Sequence, residues 1–548
     1  MKPLSQQPKK PKCAAPPVPS AQGSGRLLIA AVTLVASFFL LFGSLGHYAL
    51  WDDEAGTALH GQGVWLTGDT TAVIGHNIVA YCDGAVLKNL HERLLAPLQS
   101  YLVAPFLGLM GATALAARLP FAICGLLAVL WMLWWLWRDG ADTRTWGVMC
   151  LGILGNASFF LFCRQSRYYG LTILFSLGMA YVYTHWKGRR RDLALFTVCS
   201  ILLFASQYFI FVVVYACLAV DYALWERQRI QLTRRQVAAM ALPHLLCCGF
   251  LAVIWNPLTS PWNNYLKQQQ DSLYDRLCIF VWNFRELNAC EFGVGALLLV
   301  ALGWAVWKRD RWFARGCAVI GTYVLVTTIL TPQRNLFTTL LADIRYLCPL
   351  IPLCIAMGAR VILLSTVRVP WLAIPLALLA FETNWLQIKT YHQPEGASTI
   401  ASFVHELANP QPDPYTAAAQ WINENLGAGE SVWVLPQRMT YPLMFHAPKV
   451  IYAWQLPPPP AGQFAKLPPI YFKGGPAPDH IIVFGPLVLK MGSILQNCNG
   501  SSYALEAALN VYWRDFYRPE LALRRFETLL KFNPDADGIY VFKRIDPE

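Results

Sequence analysis

Residues 27–50 read LLIAAVTLVASFFLLFGSLGHYAL, and Trp51-Asp52-Asp53-Glu54-Ala55 follow at once. Roughly 20 apolar residues span a bilayer, so the run Leu27 to Leu50 predicts a transmembrane helix, about 27–48. It is too long for the apolar core of a signal peptide, and the N-terminal stretch lacks a signal peptide's small-residue cleavage site. It reads as a retained anchor. Three carboxylates therefore leave the membrane at the mouth of the first helix. Acids at a membrane face are costly unless they have partners or a role, so this cluster is the first functional candidate. Its ordinary reading is a helix start, where negative charge is favourable.

The rest of the chain has the same character. Of 548 residues, 55% are hydrophobic and 14% charged, with mean hydropathy +0.38. Soluble domains carry about a quarter charged residues. Lys+Arg 44 against Asp+Glu 32 gives a net charge of +12. Many of these cations sit in short loops between apolar runs, where topology rather than nucleic acid explains them. Fifteen cysteines lie mostly inside apolar runs, without metal-ligand spacing. Cys278 and Cys290 flank a stretch read as an outer loop, where a disulfide is one alternative.

Lys2, Lys9, Lys10 and Lys12 with many prolines make residues 1–25 a disordered basic tail on the inner face. Residues 49–117 then form a first outer loop, with Gly61, Gly63, Gly68 and Gly84 as breakers. Ala55 to Leu66 could form a short helix within it. Arg118 to Trp137 spans inward, and the run 145–163 spans outward to Arg164-Gln165-Ser166-Arg167. Tyr168 to Trp186 returns to Lys187-Gly188-Arg189-Arg190-Arg191, the strongest inside signal. That parity leaves Pro97 to Met110 as a re-entrant or interfacial segment. Leu193 to Leu224 is a hairpin turning at Ser206-Gln207-Tyr208, and further spans lie near 237–255, 291–307, 313–330, 347–364 and 370–388. The expectation is a polytopic α-helical membrane protein with about eleven spans over residues 26–389. Residues 390–548 form a soluble α/β domain on the outer face: a helix over 416–426, strands at 431–435, 480–484 and 538–542, and an amphipathic helix over 519–532.

This topology gathers charge at one face: Asp52, Asp53, Glu54, then Lys88, His91, Glu92 and Arg93, then Arg164 and Arg167, then Arg345, with Glu382 as a weaker member. Arginines bind phosphate through charge-assisted bonds, and a carboxylate can take a proton from an attacking hydroxyl. Together they fit sugar transfer from a polyprenyl phosphate, whose phosphate is already a good leaving group. Each arginine also has an ordinary reading as a snorkelling anchor. His244, beside Pro243, reads as a packed helix residue.

Asp53-Glu54-Ala55, Pro97-Leu98, Tyr101-Leu102, Ala117-Arg118-Leu119-Pro120, Arg164 to Tyr169 and Arg345-Tyr346-Leu347-Cys348-Pro349-Leu350 occur in an order that resembles the protein O-mannosyltransferase-like superfamily. Its bacterial members include the lipid A aminoarabinose transferases. The resemblance covers roughly residues 45–390 and implies the GT-C fold, a polyprenyl-phosphate sugar donor and no cofactor, with a divalent metal left open. It implies Asp53 as catalytic base, Asp52 and Glu54 as supporting residues, and Arg93, Arg164, Arg167 and Arg345 at the donor phosphate. It implies an inverting enzyme of the bacterial inner membrane, with site and C-terminal domain periplasmic. The chain departs from those transferases at Gly56, where they carry Arg, and at Leu95-Ala96, where they place Lys. Sugar and acceptor (glycolipid, polysaccharide or envelope protein) stay open. A transporter or flippase of lipid-linked precursors is the second reading, although no internal repeat is visible. A scaffold built on the outer domain is the third, and it leaves the charge clusters unexplained.

Overall fold

The computed structural model describes residues 21–255, 272–290, 294–330, 344–386, 398–496, 498, 500–512 and 535–545. The tail before residue 21, the polar loop ahead of Arg345 and the amphipathic helix expected over 519–532 lie outside the described residues.

Helix α1, Ala21–Phe42, starts inside the expected tail and ends earlier than the apolar run. The chain leaves the helix at Gly43 and Ser44, with Ser44 at φ 49°. Gly46 lies so close to Leu115 that a side chain would not fit. Helix α2, Asp52–Thr67, then begins on the carboxylate triplet and stops at Gly68, whose φ of 79° suits glycine. Gly61 and Gly63, expected as breakers, are inside α2. Missing side chains allow close helix contact there: α2 packs on α3, Leu98–Met110, and a Cβ on Gly61 would overlap Val103. Between α2 and α3 two short hairpins form, β1 Val73–Ile74 with β2 Asn77–Ile78, and β3 Leu87–Lys88 with β4 His91–Glu92.

The bundle continues with α4 Ala114–Arg138, α5 Thr143–Leu154, α6 Ala157–Cys163, α7 Tyr169–Thr184, α8 Arg190–Ser206, α9 Tyr208–Asp221 and α10 Arg234–Ile254. The expected hairpin over 193–224 turns at Gln207, between α8 and α9. The expected span 145–163 is broken, with a 59° bend between α5 and α6. Leu273–Cys290 is helical, which corrects the loop reading of that stretch. It also removes the disulfide: Cys278 is a free thiol, and twelve residues along one helix separate the two positions by roughly 18 Å. Helices Val294–Lys308, Arg311–Leu330 and Ile351–Ser365 complete the main part of the bundle, followed by the short apolar segment Pro370–Glu382.

Among the described residues six helices are long and apolar enough to cross a membrane, or seven if the bent pair is one span. This is a helical membrane protein. The eleven expected spans would need shorter apolar helices such as Leu98–Met110 and Tyr169–Thr184 to cross as well. Helix α10 has no buried residue, so Leu245, Phe250 and Val253 present their side chains outward as lipid-facing residues do. At one end of the bundle Arg315 pairs with Asp221 (2.7 Å) and Glu226, and Tyr183 donates to Asp221 (2.8 Å). That cluster ties α7, α9 and the helix Arg311–Leu330 together. His244 is satisfied locally, by Met240 O and Ser200 at 2.7 Å each.

After residue 398 the structure changes class. A five-stranded sheet has the order β6-β5-β7-β9-β8, formed by β5 Ser431–Leu435, β6 Ile451–Tyr452, β7 His480–Phe484, β8 Ser502–Leu509 and β9 Ile539–Ile545. β6, β5 and β7 run parallel, and β9 and β8 are antiparallel. Every residue of β7 is buried, which fits the apolar run 481–484 that follows His480. Helix Pro414–Asn425 matches the predicted one. β8 and the two-residue β6 carried no clear alternation and went unrecognised. Helix Thr440–His446 packs on α2, so the sheet unit and the first loop form one surface. Gly61→Ala should lower the thermal stability of the purified protein by about 1–3 kcal/mol, as overpacked cores do, read as a drop in melting temperature in detergent.

Candidate active site

Successive residues of a helix project about 100° apart, so the three carboxylates that open α2 go to three different places. Asp52 is buried and accepts from the Tyr81 hydroxyl at 2.9 Å, with the Tyr81 ring stacked on Tyr441. Glu54 is fully buried against Arg118 of α4: Nε to Oε1 at 2.9 Å and an Nη to Oε2 at 2.6 Å. Ser166 N adds a third bond to Glu54, at 2.8 Å. Asp53 alone turns toward a partly open space, with its side chain 25% exposed.

Two arginines meet Asp53 there. Arg345, in the turn Ile344–Leu350, reaches Oδ2 at 3.0 Å. Arg167, in the turn between α6 and α7, lies 3.5 Å from the same oxygen and donates to Thr57 Oγ1 at 3.2 Å. Each guanidinium also lies by the aromatic ring of its own neighbour, Arg167 at 5.3 Å from Tyr168 and Arg345 at 5.4 Å from Tyr346. Tyr323 fixes that second turn by donating to Tyr346 O at 2.8 Å. Burial is the largest influence on Arg167 and works against its charge, but Asp53 together with Tyr169 and Tyr168 holds the guanidinium above the ordinary arginine range.

The other two predicted arginines have different partners. Arg164 donates to Leu40 O and Leu41 O at 2.9 and 3.1 Å, capping the C-terminal end of α1. Arg93 forms a two-pronged pair with Asp69, donates to Thr70 Oγ1 and lies 4.8 Å from the ring of Trp255. With Lys88 and His91 it lines a cavity of about 310 Å³ beside the end of α10. The carboxylates of the triplet do not converge into one ligand set. Among the described residues no group of three or more His, Cys, Asp or Glu side chains is placed to hold a metal ion.

Arg118 and Glu92 are the residues that sequence reasoning undervalued. Arg118 was visible as a cation inside an apolar helix, a position that normally carries a task, yet it reads there as a helix end. Its guanidinium also takes the carbonyls of Leu45, Tyr48 and Ala49, at 3.2, 2.8 and 2.9 Å. Glu92 is buried at the end of β4 and accepts from Leu94 N and Leu95 N at 2.7 and 2.8 Å. Burial pushes its carboxyl up to about 7, against those bonds and the charges of Arg93 and Arg167. His60 is buried in α2 and held down to about 4 by desolvation, so it stays neutral.

A bundle of apolar helices joined to an α/β unit is the GT-C fold. ArnT from Cupriavidus metallidurans in the apo state superposes with TM-score 0.52 and 13% identity, over 95% of this chain and 98% of that one. The same protein bound to undecaprenyl phosphate gives TM-score 0.48 at 14% identity, over 95% and 98% of the two chains. The apo oligosaccharyltransferase of Archaeoglobus fulgidus gives TM-score 0.49 at 11% identity, over 84% of this chain and 70% of that one. No family model and no curated protein sequence matches the chain.

A carboxyl titrating higher in the folded protein than in the unfolded chain binds more protons when folded, so stability falls as pH rises between the two values. For Glu92 that window runs from 4.5 to about 7. Glu92→Gln should remove this fall, gaining on the order of 3 kcal/mol relative to wild type at pH 8 compared with pH 4. Paired melting curves of the two proteins across that range measure it, and parallel pH profiles would contradict the assignment.

Proposed function

We propose that this protein transfers a sugar from a polyprenyl-phosphate donor to an acceptor hydroxyl or amine at the outer face of the membrane, with inversion. The observation that carries the reading is Asp53 held between Arg167 and Arg345, residues brought together from three distant parts of the chain. The structural likeness to ArnT supports the fold on which such a site would be built.

The reaction follows from the geometry. The acceptor oxygen or nitrogen attacks the anomeric carbon, and Asp53 takes its proton. The bond from that carbon to the phosphate oxygen breaks, and the electron pair leaves with the lipid phosphate. A single displacement inverts the anomeric centre. Arg167 and Arg345 bind the donor phosphate and stabilise the charge that grows on it, as preorganised cations do elsewhere. Both guanidiniums face Asp53, which puts the base beside the phosphate they would bind. Asp52 and Glu54 serve the site through Tyr81 and Arg118, fixing the first turn of α2. Arg93 and Arg164, engaged with Asp69 and with the end of α1, stand outside this donor cluster in the proposal. The donor lipid lies in the bilayer, and the acceptor is a glycolipid, polysaccharide or envelope protein.

The same proposal places the first loop and residues 398–545 on the side opposite Arg189 to Arg191, the periplasm of a bacterial inner-membrane protein. Cys82 is an exposed thiol in the first loop. It should react with a membrane-impermeant maleimide in intact spheroplasts, and protection until lysis would reject the orientation. Asp53→Asn keeps the side chain's size and removes its basicity. It should bind undecaprenyl phosphate as wild type does, yet lose a factor of ~10² or more in transfer rate. Arg345→Ala should instead weaken undecaprenyl phosphate binding by about 2–5 kcal/mol. Near wild-type transfer by Asp53→Asn in monodisperse enzyme would sink the mechanism.

A further inference from the structure

Residues 48–50 link α1 to the carboxylate triplet, and they are held from both sides. Arg118 takes the carbonyls of Tyr48 and Ala49 from the bundle. From the sheet unit, far along the chain, three side chains take the groups that face the other way. Asp413 Oδ2 accepts from Ala49 N at 2.8 Å. His446 Nε2 accepts from Leu50 N at 3.0 Å. Glu406 Oε1 accepts from the Tyr48 hydroxyl at 2.6 Å, and that hydroxyl accepts from Gln411 N at 3.0 Å. Glu406 and Asp413 are buried and His446 is half-buried.

We infer that Glu406, Asp413 and His446 are positioning residues: they clamp the backbone just ahead of Asp53 and thereby let the sheet unit set the place of the base. The inference rests on the transfer reading and adds the residues that govern its geometry. Three features carry it. The acceptors meet consecutive residues, so the linker has no free hinge over residues 48–50. Leu50 N is separated from Asp53 by less than one helical turn, so a shift there moves the carboxylate directly. His446 also has to be neutral to accept, and its surroundings enforce this: burial and the Arg118 charge hold its imidazole down to about 4. Asp413 caps its own helix as well, accepting from Thr416 N and Tyr415 N at 3.3 Å each. The clamp is thus anchored in the sheet unit's first long helix.

The test compares His446→Leu, which removes the acceptor, with His446→Gln, which restores one. Two quantities are read on purified full-length protein: sugar release from a panel of undecaprenyl-phosphoryl hexoses with water as acceptor, and hydrogen exchange of peptides covering 46–56. His446→Leu should lose at least tenfold in release rate at saturating donor, with undecaprenyl phosphate binding unchanged, and exchange over 46–56 should rise. His446→Gln should recover most of the rate. An unchanged rate overturns the inference even if exchange rises, and a lost rate without added exchange overturns the route through residues 48–50. Should His446→Leu fail to purify, Tyr48→Phe removes the Glu406 and Gln411 bonds of the same clamp and is read by the same criteria. A wild-type protein that releases sugar from no panel member would sink the transfer reading instead, and the exchange comparison would then decide the clamp by itself.

Discussion

Everything at the site depends on the ion pair between Glu54 and Arg118. Neither side chain reaches bulk water, and breaking such a pair from one side costs about 3–5 kcal/mol. The pair is tolerable because its polar atoms are used: Glu54 also accepts from Ser166 N, and Arg118 also serves three carbonyls. It fixes the rotation of α2 about its axis. Once Glu54 points into the bundle, Asp52 must point to Tyr81 and Asp53 to the arginines. One buried contact therefore sorts three adjacent acids into two structural residues and one that faces the open space.

The sequence makes the membrane class and the charge cluster of the candidate site legible, because both depend on local signals. Apolar length marks the helices, and clustered charge at apolar boundaries marks one face. The turn at Gln207 and the strands 431–435 and 480–484 are read correctly for the same reason: periodicity and breakers are local. Partner choice is not local. Arg93, Arg164, Arg167 and Arg345 look alike as basic residues at apolar boundaries. What separates them is tertiary: Arg93 meets Asp69, Arg164 meets the end of α1, and two converge on Asp53. Composition likewise misreads Gly61 and Gly63, because glycine breaks a helix in isolation but serves close packing where another segment lies alongside, the helix Leu98–Met110 at Gly61 and Thr71 at Gly63. Residues 273–290 are misread as loop because polar and aromatic side chains interrupt their apolar pattern.

Two of the buried titratable groups near the site, His60 and Glu92, are moved by desolvation in the directions that keep each neutral. The interior around α2 thus spends its few fixed charges on paired groups, Glu54 with Arg118 and Asp53 with its two arginines. A low density of unpaired charge leaves the electrostatics of the open space to Asp53, Arg167 and Arg345.

The linker before the triplet is gripped through its main chain. Arg118, Asp413 and His446 bind carbonyl and amide groups of residues 45, 48, 49 and 50, and Tyr48 and Ser44 add side-chain contacts. Main-chain groups are the same whatever residue stands there. As far as these bonds go, positions 49 and 50 can therefore drift in sequence over evolutionary time while their course stays fixed, and the constraint is displaced onto distant positions 118, 413 and 446. Searches for this site in diverged chains would do better to look for those gripping residues than for the stretch they hold.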